Sequence, residues 1–433
     1  MHKRKSYISS SQDESIAFFG RSIRIAHQKT VPESLLKFVL QNIFNTFVLK
    51  IGFTKKKSMD NILLCTALSF FITFFSIPVI IQVAKEKKLF DEPGDRKVHK
   101  TVIPTLGGLG IFAGFILGVL LCTPANIAGQ INFFVAGAVV IFFLGLKDDI
   151  LVISATKKFI GQVLAAIIII KFGGIHIKNM GGFLGLEDIS ETASFLLTLF
   201  TFIVVTNSFN LIDGVDGLAG SLGLLTALVF GSYFYMIGEM SFAIIAFSLS
   251  GSIISFLIYN FSPAKIFMGD TGSLLLGLIN SILVVQFVNV SGSSGEGKII
   301  LDSAPAIGFA ILMIPLFDTL RVFSIRIFNK RSPFSPDRNH IHHLLLDLGL
   351  NHRQITFSCV GLNILFIAMS YVLRGLGPTL VIAILLLSAL SIISGLHYML
   401  KKRKPLYVAH KNKNGIQKAR RKFDPVAETI EVE

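Results

Sequence analysis

Eleven stretches of this chain are continuously apolar over bilayer-scale lengths: residues 61–84, 106–123, 131–146, 159–171, 194–206, 218–236, 241–258, 272–290, 304–325, 357–373 and 376–398. A membrane-crossing helix needs about 17–25 such residues. The runs at 159–171 and 194–206 are therefore short, and need neighbouring protein or thinned lipid. None alternates apolar and polar with period two, which excludes a membrane β-barrel. The pattern predicts an all-α, polytopic integral membrane protein of about eleven transmembrane helices, with its polar chemistry confined to the loops.

The two ends depart from this pattern. Residues 1–58 are basic and irregular, and the mixed apolar–polar stretch Leu35–Phe53 suits an interfacial amphipathic helix. No short apolar core with a small-residue cleavage site marks a signal peptide. Met59 immediately precedes the first clean run, so the extension is expected to be dispensable or to lie upstream of the true start. The chain divides into this extension (1–58), a membrane domain (59–400) and a basic tail (401–433).

Composition agrees with the membrane reading. Hydrophobic residues make up 52% of the chain and charged ones only 15%, with mean hydropathy +0.68. The net charge of +15 lies in loops and termini, not on one soluble domain, so nucleic acid is not expected as a partner. Lys85, Lys87, Lys88, Arg96, Lys97 and Lys100 share one loop; Lys147, Lys157, Lys158, Lys265, Arg326, Lys330, Arg331, Arg338 and Arg353 follow on the same side. The opposite loops hold little beyond Lys178, Lys298 and Arg374. That asymmetry places the basic loops and C-terminus in the cytoplasm. Cys65, Cys122 and Cys359 lie in or beside apolar runs without paired spacing, as small packing residues do.

Every conspicuous polar motif falls on the basic side. The densest is NSFNLIDGVDGLAG, Asn207–Gly220, which sets Asn207, Asn210, Asp213 and Asp216 among Gly214, Gly217 and Gly220. A turn uses two or three such residues; this stretch holds seven, between two apolar runs. Asn and Asp supply donors and acceptors for a hydroxylated or metal-bound ligand. DEPGDRKVHKTVIPTLGG, Asp91–Gly108, combines Arg96, Lys97, His99 and Lys100 with flexible backbone, which suits a pyrophosphate. At Lys147-Asp148-Asp149 two carboxylates end a membrane run. They could hold Mg²⁺ with substrate phosphate oxygens, or one could act as a general base. In NFSPAKIFMGDTGS, Asp270 opens a helix, either as a plain N-cap or beside a phosphate. The cluster RSPFSPDRNHIHH carries Arg331, Arg338, His340, His342 and His343. Its histidines admit a transition metal, but the several carboxylates and absence of Cys ligands favour a hard cation and phosphate. Carboxylates for a cation and cations for phosphates, together at one membrane face, form a phosphoryl-transfer site.

In this order, DEPGDRKVH…IPTLGG, LKDD, NSFNLIDGVDGLAG, MGDTGS and PFSPDRNHIHH resemble the polyprenyl-phosphate N-acetylhexosamine-1-phosphate transferases (glycosyl transferase family 4). The similarity covers roughly residues 61–400 and is strongest to the undecaprenyl-phosphate N-acetylglucosamine-1-phosphate transferase branch. The resemblance implies transfer of a sugar-1-phosphate from a UDP-sugar to undecaprenyl phosphate with release of UMP, initiating a cell-surface polysaccharide at the bacterial inner membrane. It implies Mg²⁺, with Mn²⁺ as the alternative cation, and leaves room for a homodimer. It makes Asp148 and Asp149 the catalytic pair and possible cation ligands, and Asp270 the principal Mg²⁺ ligand. Asn210 and Asp213 would line the same centre. Gly214 and Asp216 would face the nucleotide, and Lys97, His99, Arg326, Arg338, His340 and His342 the diphosphate and sugar, with Asn207 and His343 as further substrate-binding candidates. Asp318, in PLFDTLR, is expected to pair with Arg321. The family often carries a third acidic residue after the pair; here Ile150-Leu151-Val152 follows. The rival readings are the same reaction with another UDP-sugar, such as the muramoyl-pentapeptide nucleotide, a cation-coupled transporter, and a lipid-binding scaffold. A transporter should show internal repeats and mid-membrane charges, and neither is seen.

Overall fold

The computed structural model describes residues 58–87, 103–291, 301–330, 340–402, 410–412 and 415–417. Residues 1–57, with the predicted interfacial helix, and the motif residues Lys97, His99 and Arg338 lie outside these. The described chain is a helical bundle: α1 (Ser58–Glu86), α2 (Gly107–Cys122), α3 (Ala128–Ile150), α4 (Ala155–Ile167), α5 (Glu191–Ile212), α6 (Leu218–Met236), α7 (Met240–Asn260), α8 (Gly269–Ser291), α9 (Ala304–Ile311), α10 (Met313–Phe328), α11 (Ile341–Asp347), α12 (His352–Val372) and α13 (Pro378–Lys402). Two short antiparallel hairpins accompany them, Asn179–Phe183 with Leu186–Asp188, and His410–Asn412 with Gly415–Gln417.

Each predicted run falls on a helix or a helix pair, but the count of eleven spans is not reproduced. Among the described residues eight helices are long and apolar enough to cross a membrane, or nine if α9 and α10 form one broken span. The run at 106–123 folds as the 16-residue α2. The run at 159–171 becomes α4 with a π-helical turn, Ile168–Phe172, at its end.

The run at 304–325 contains a break. Its two helices meet at Leu312 at an angle of 83°. Pro315 lies in the first turn of α10, where a residue without an N–H is tolerated and a continuing helix would lose a hydrogen bond. The backbone groups freed at the break must be satisfied in an apolar setting. Asn363 of α12 does this with one amide: its Oδ1 accepts from Ile314 N (3.0 Å) and its Nδ2 donates to the Ile311 carbonyl (2.9 Å).

The most enclosed span is α8. It touches α2, α3, α5, α6, α7 and α9, and close backbone approach makes this possible. A Cβ at Gly277 of α8 would lie 2.5 Å from the Thr206 Cα of α5, and one at Gly145 of α3 would lie 2.5 Å from the Thr271 Cα of α8. Real Cβ contacts do not come so near, so glycine lets these helices dock against α8. One turn beyond each contact stands a polar residue of the motifs, Asn210 on α5 and Asp148–Asp149 on α3. The bundle thereby brings two separated motifs to a third, at the N-terminal end of α8.

Candidate active site

The first turn of α8 leaves backbone N–H groups without helical partners. They are met by a carboxylate from another helix. Asp149, in the last turn of α3, accepts from Asp270 N (2.7 Å), Thr271 N (3.0 Å) and Thr271 Oγ1 (2.5 Å). An anion also suits the positive end of the helix dipole. Asp270 is therefore not the N-cap of its own helix; Asp149 does the capping. Gly269 precedes it with φ +71°, and a Cβ there would run into the Thr105 carbonyl and the Asp149 carboxylate. Removing the cap leaves buried donors unmet, a loss of about 1–3 kcal/mol. Asp149→Ala should accordingly lower the midpoint of thermal unfolding in detergent, whereas Asp149→Asn, which keeps one acceptor, should lower it less.

With Asp149 engaged, the Asp270 side chain turns to the other two motifs. Lys158, on the first turn of α4, reaches Asp270 Oδ2 (2.5 Å), Asp148 Oδ2 (3.0 Å) and Asn210 Oδ1 (3.3 Å). Asn210 Nδ2 donates to Asp270 Oδ1 (2.6 Å) and Ser273 Oγ (2.9 Å). Asp148 Oδ1 also accepts from Ile153 N (2.8 Å), which holds the turn between α3 and α4. One turn further along α4, Gln162 exchanges hydrogen bonds with Asn207 of α5: Asn207 Nδ2 to Gln162 Oε1 is 2.8 Å and the return bond 3.3 Å. Asn207, expected among the substrate-binding residues, ties α5 to α4. Lys158 and Gln162 are the residues that sequence reasoning undervalued. Their spacing of four places them on one helix face, a signal visible only once α4 is known to begin before Lys158.

The loop Asp213–Gly217 brings a further carboxylate, Asp213, within electrostatic reach of Asp270 and Asp149. Asp213 accumulates negative neighbours. Its burial, and then the charges of Asp270, Asp149 and Asp216, push its carboxyl from the usual 3.8 to about 8. The folded protein therefore holds a proton there that the unfolded chain releases near pH 4. With divalent cations chelated, that group's contribution to stability should fall as pH rises from about 4 to about 8 and then level off. Unfolding midpoints in EDTA across this window should show a shallower slope for Asp213→Asn than for the parent.

Asp216 does not share the open position the resemblance implies. It is 4% exposed; its carboxylate accepts from Ala264 N (3.2 Å) and lies 3.3 Å from His352 Nδ1 of α12. Its carbonyl accepts from Thr356 Oγ1. Gly217 N donates to Asn260 Oδ1 (2.9 Å), and Asn260 Nδ2 to the Ile266 carbonyl (2.9 Å). The second aspartate of the motif thus anchors the loop, leaving Asp213 to face the centre.

The histidine cluster reaches the same loop. Asp318 of α10 accepts from His340 Nδ1 (2.8 Å), Ile341 N (2.8 Å) and Arg321 Nη2 (3.2 Å), so the expected Asp318–Arg321 pair forms. His342 stacks parallel to His340 (5.6 Å, 5°), and the His343 ring lies 4.3 Å from it at a tilt of 48°. A Cβ at Gly214 would lie 2.6 Å from His342 Nε2, so glycine there admits the ring. Burial, with the neighbouring His343, pushes His342 down to about 3, leaving it neutral at physiological pH. Arg326, in the last turn of α10, is buried near the Phe323 ring.

Among the described residues no three His, Cys, Asp or Glu side chains form a ready metal cage. What the centre does present is two carboxylates, Asp148 and Asp270, sharing one lysine, with Asp213 near Asp270 and raised by burial first and by neighbouring carboxylates second. That donor set fits a hard divalent cation, which takes one or two carboxylates and completes its shell with substrate phosphate and water.

Fold and site together define a multi-pass membrane protein whose charged centre lies where several spans end. The sequence model of glycosyl transferase family 4 matches residues 131–288. The chain is 32% identical over 325 residues to a probable undecaprenyl-phosphate N-acetylglucosaminyl 1-phosphate transferase of Bacillus subtilis (strain 168), covering 73% of this chain and 87% of that protein. It is 34% identical over 306 residues to a decaprenyl-phosphate N-acetylglucosaminephosphotransferase of Mycobacterium leprae, covering 66% and 76%. It is 32% identical over 280 residues to the undecaprenyl-phosphate alpha-N-acetylglucosaminyl 1-phosphate transferase of Escherichia coli (strain K12), covering 63% and 73%. The chain belongs to glycosyl transferase family 4.

Proposed function

We propose that this protein transfers N-acetylglucosamine-1-phosphate from UDP-N-acetylglucosamine to undecaprenyl phosphate, releasing UMP, at the cytoplasmic face of a bacterial plasma membrane. The observation that carries this reading is the centre at the head of α8, where Asp148, Asp270 and Asn210 converge on Lys158. Its residue types are those of phosphoryl transfer, and the similar proteins are named for that reaction. The positive-inside asymmetry of the loops supports the cytoplasmic placement.

The reaction joins an oxygen of the lipid phosphate to the β-phosphorus of the UDP-sugar and breaks the bond to the bridging oxygen, which leaves on UMP. Such transfers ask for positioning and charge stabilisation rather than protein nucleophiles. Asp270 and Asp148 would hold Mg²⁺, which when bound supplies neutralisation of phosphate charge. Lys158 brings a positive charge to the oxygens gathered there, and Asn210 orients the Asp270 carboxylate. Asp149 acts one step back, fixing the backbone that carries Asp270. The neutral His342, against the Asp213–Gly217 loop, offers hydrogen bonds without adding charge. The apolar exteriors of the spans leave the prenyl tail in lipid, so the acceptor arrives by lateral diffusion with its phosphate oriented at the interface.

The test is UMP release by the purified protein with undecaprenyl phosphate and a panel of UDP-sugars, in Mg²⁺ and in EDTA. The expected result is metal-dependent turnover with UDP-N-acetylglucosamine as the preferred donor. Preference for the muramoyl-pentapeptide nucleotide would replace the sugar, and turnover unaffected by EDTA would remove the cation from the account.

A further inference from the structure

Asp318 is 1% exposed, and a carboxylate there is costly unless its oxygens are well paired. Its partners do more than pay that cost. Two of the three, His340 Nδ1 and Ile341 N, belong to the residue preceding α11 and to its first residue. The carboxylate thus fixes both where α11 begins and which nitrogen of His340 carries the proton, because an ionised acceptor at Nδ1 leaves Nε2 as the opposite, unprotonated edge. The ring of His342 lies parallel to that of His340, so orienting one imidazole constrains the other. His342 in turn abuts Gly214, next to Asp213. His342 Nδ1 is buried and has no hydrogen-bond partner among the described residues, in a side chain 4% exposed. A buried, unmet nitrogen beside an ordered imidazole stack is a capacity for a ligand hydrogen bond.

We propose that Asp318 is a positioning residue for recognition of the nucleotide-sugar: it sets the tautomer and ring orientation of His340 and, through the stack, of His342, so that the unprotonated ring nitrogens accept hydrogen bonds from hydroxyl and N–H groups of the donor. This rests on the transferase reading above and names a residue of that same site acting through another. Asp318 itself touches no substrate. Its effect is therefore expected on one substrate, the UDP-sugar, and not on the lipid phosphate.

Asp318→Asn keeps the size of the side chain and one oxygen for Ile341 N, but can turn an NH₂ toward His340 Nδ1. Steady-state kinetics on the full-length protein in detergent should show KM for UDP-N-acetylglucosamine raised about tenfold or more, with KM for undecaprenyl phosphate unchanged. In a double-mutant cycle, Asp318→Asn should add little to His340→Ala, since both act through one ring. Asp318→Glu, which restores the charge, should recover part of the lost affinity. An unchanged KM for the UDP-sugar would overturn the proposal, as would equal increases for both substrates or full additivity with His340→Ala. Should Asp318→Asn fail to fold, His340→Asn is informative in its place. Its amide can still donate to Asp318 and hold the start of α11 while removing the Nε2 edge, and a normal UDP-sugar KM for it would overturn the proposal. The transferase reading fails separately, by the absence of turnover in the parent protein.

Discussion

Asp270→Asn should reduce transfer about a thousandfold or more while leaving the fold intact. The substitution preserves the shape of the side chain and an oxygen for Lys158 or Asn210, but removes the negative charge at the point where three helices converge. Charge stabilisation by a bound cation contributes several kcal/mol to such reactions, and each 1.36 kcal/mol is about tenfold in rate. Stability should hold or rise, because Asp213 loses the carboxylate charge that, after burial, raises it most. Thermal unfolding and turnover measured on the same preparation separate the two effects. A folded variant with a near-parental rate would show that the head of α8 is not the reacting centre.

The second large effect is expected at Lys158. Its ammonium group is shared by Asp148, Asp270 and Asn210, so removal takes away both a phosphate-side charge and the counter-charge of the carboxylates. Lys158→Met keeps the aliphatic stem and deletes the charge. Loss of one preorganised electrostatic partner typically costs about 10²–10³ in kcat, and that is the fall expected here. Lys157→Met should have little effect, since that side chain is exposed and takes no part in the contacts at the centre. Equal losses for the two lysines would point to general surface charge in place of a specific site.

The contrast between these adjacent lysines shows what the sequence could and could not convey. Both are legible as cations near Asp148–Asp149, but choosing between them needs the phase of α4, and an apolar run read from 159 onward gives no phase at Lys158. The spans were legible because long apolar runs have one stable solution in lipid. The break at Leu312 was not, because the apolar pattern runs straight through it; Pro315 was the available sign, and Asn363, which repairs the break, is distant in sequence. The convergence of Asp148–Asp149, Asn210 and Asp270 at the head of α8 was foreshadowed by the polar motifs ending their apolar runs; most of the first motif and the start of the last lie outside the described residues.

Individual roles within those motifs were less accessible. Asp148 and Asp149 are indistinguishable as adjacent carboxylates, yet one meets Lys158 and the other caps α8, since adjacent residues on a helix point about 100° apart. Asp213 and Asp216 divide similarly: three residues apart in a loop, one faces the carboxylate cluster and the other is buried against His352 and Ala264 N. Glycine explains why the docking works. Gly145 and Gly277 carry no chemistry, but without them α3 and α5 could not approach α8 closely enough to deliver Asp148 and Asn210.

The most direct test of the central claim follows the β-phosphorus. UDP-N-acetylglucosamine labelled at that atom is incubated with the purified protein, undecaprenyl phosphate and Mg²⁺, and the lipid and nucleotide products are separated. Phosphoryl transfer at the head of α8 predicts that the label moves to the lipid and that the released nucleotide is unlabelled UMP. Label remaining in released UDP, with the sugar alone on the lipid, would contradict the account.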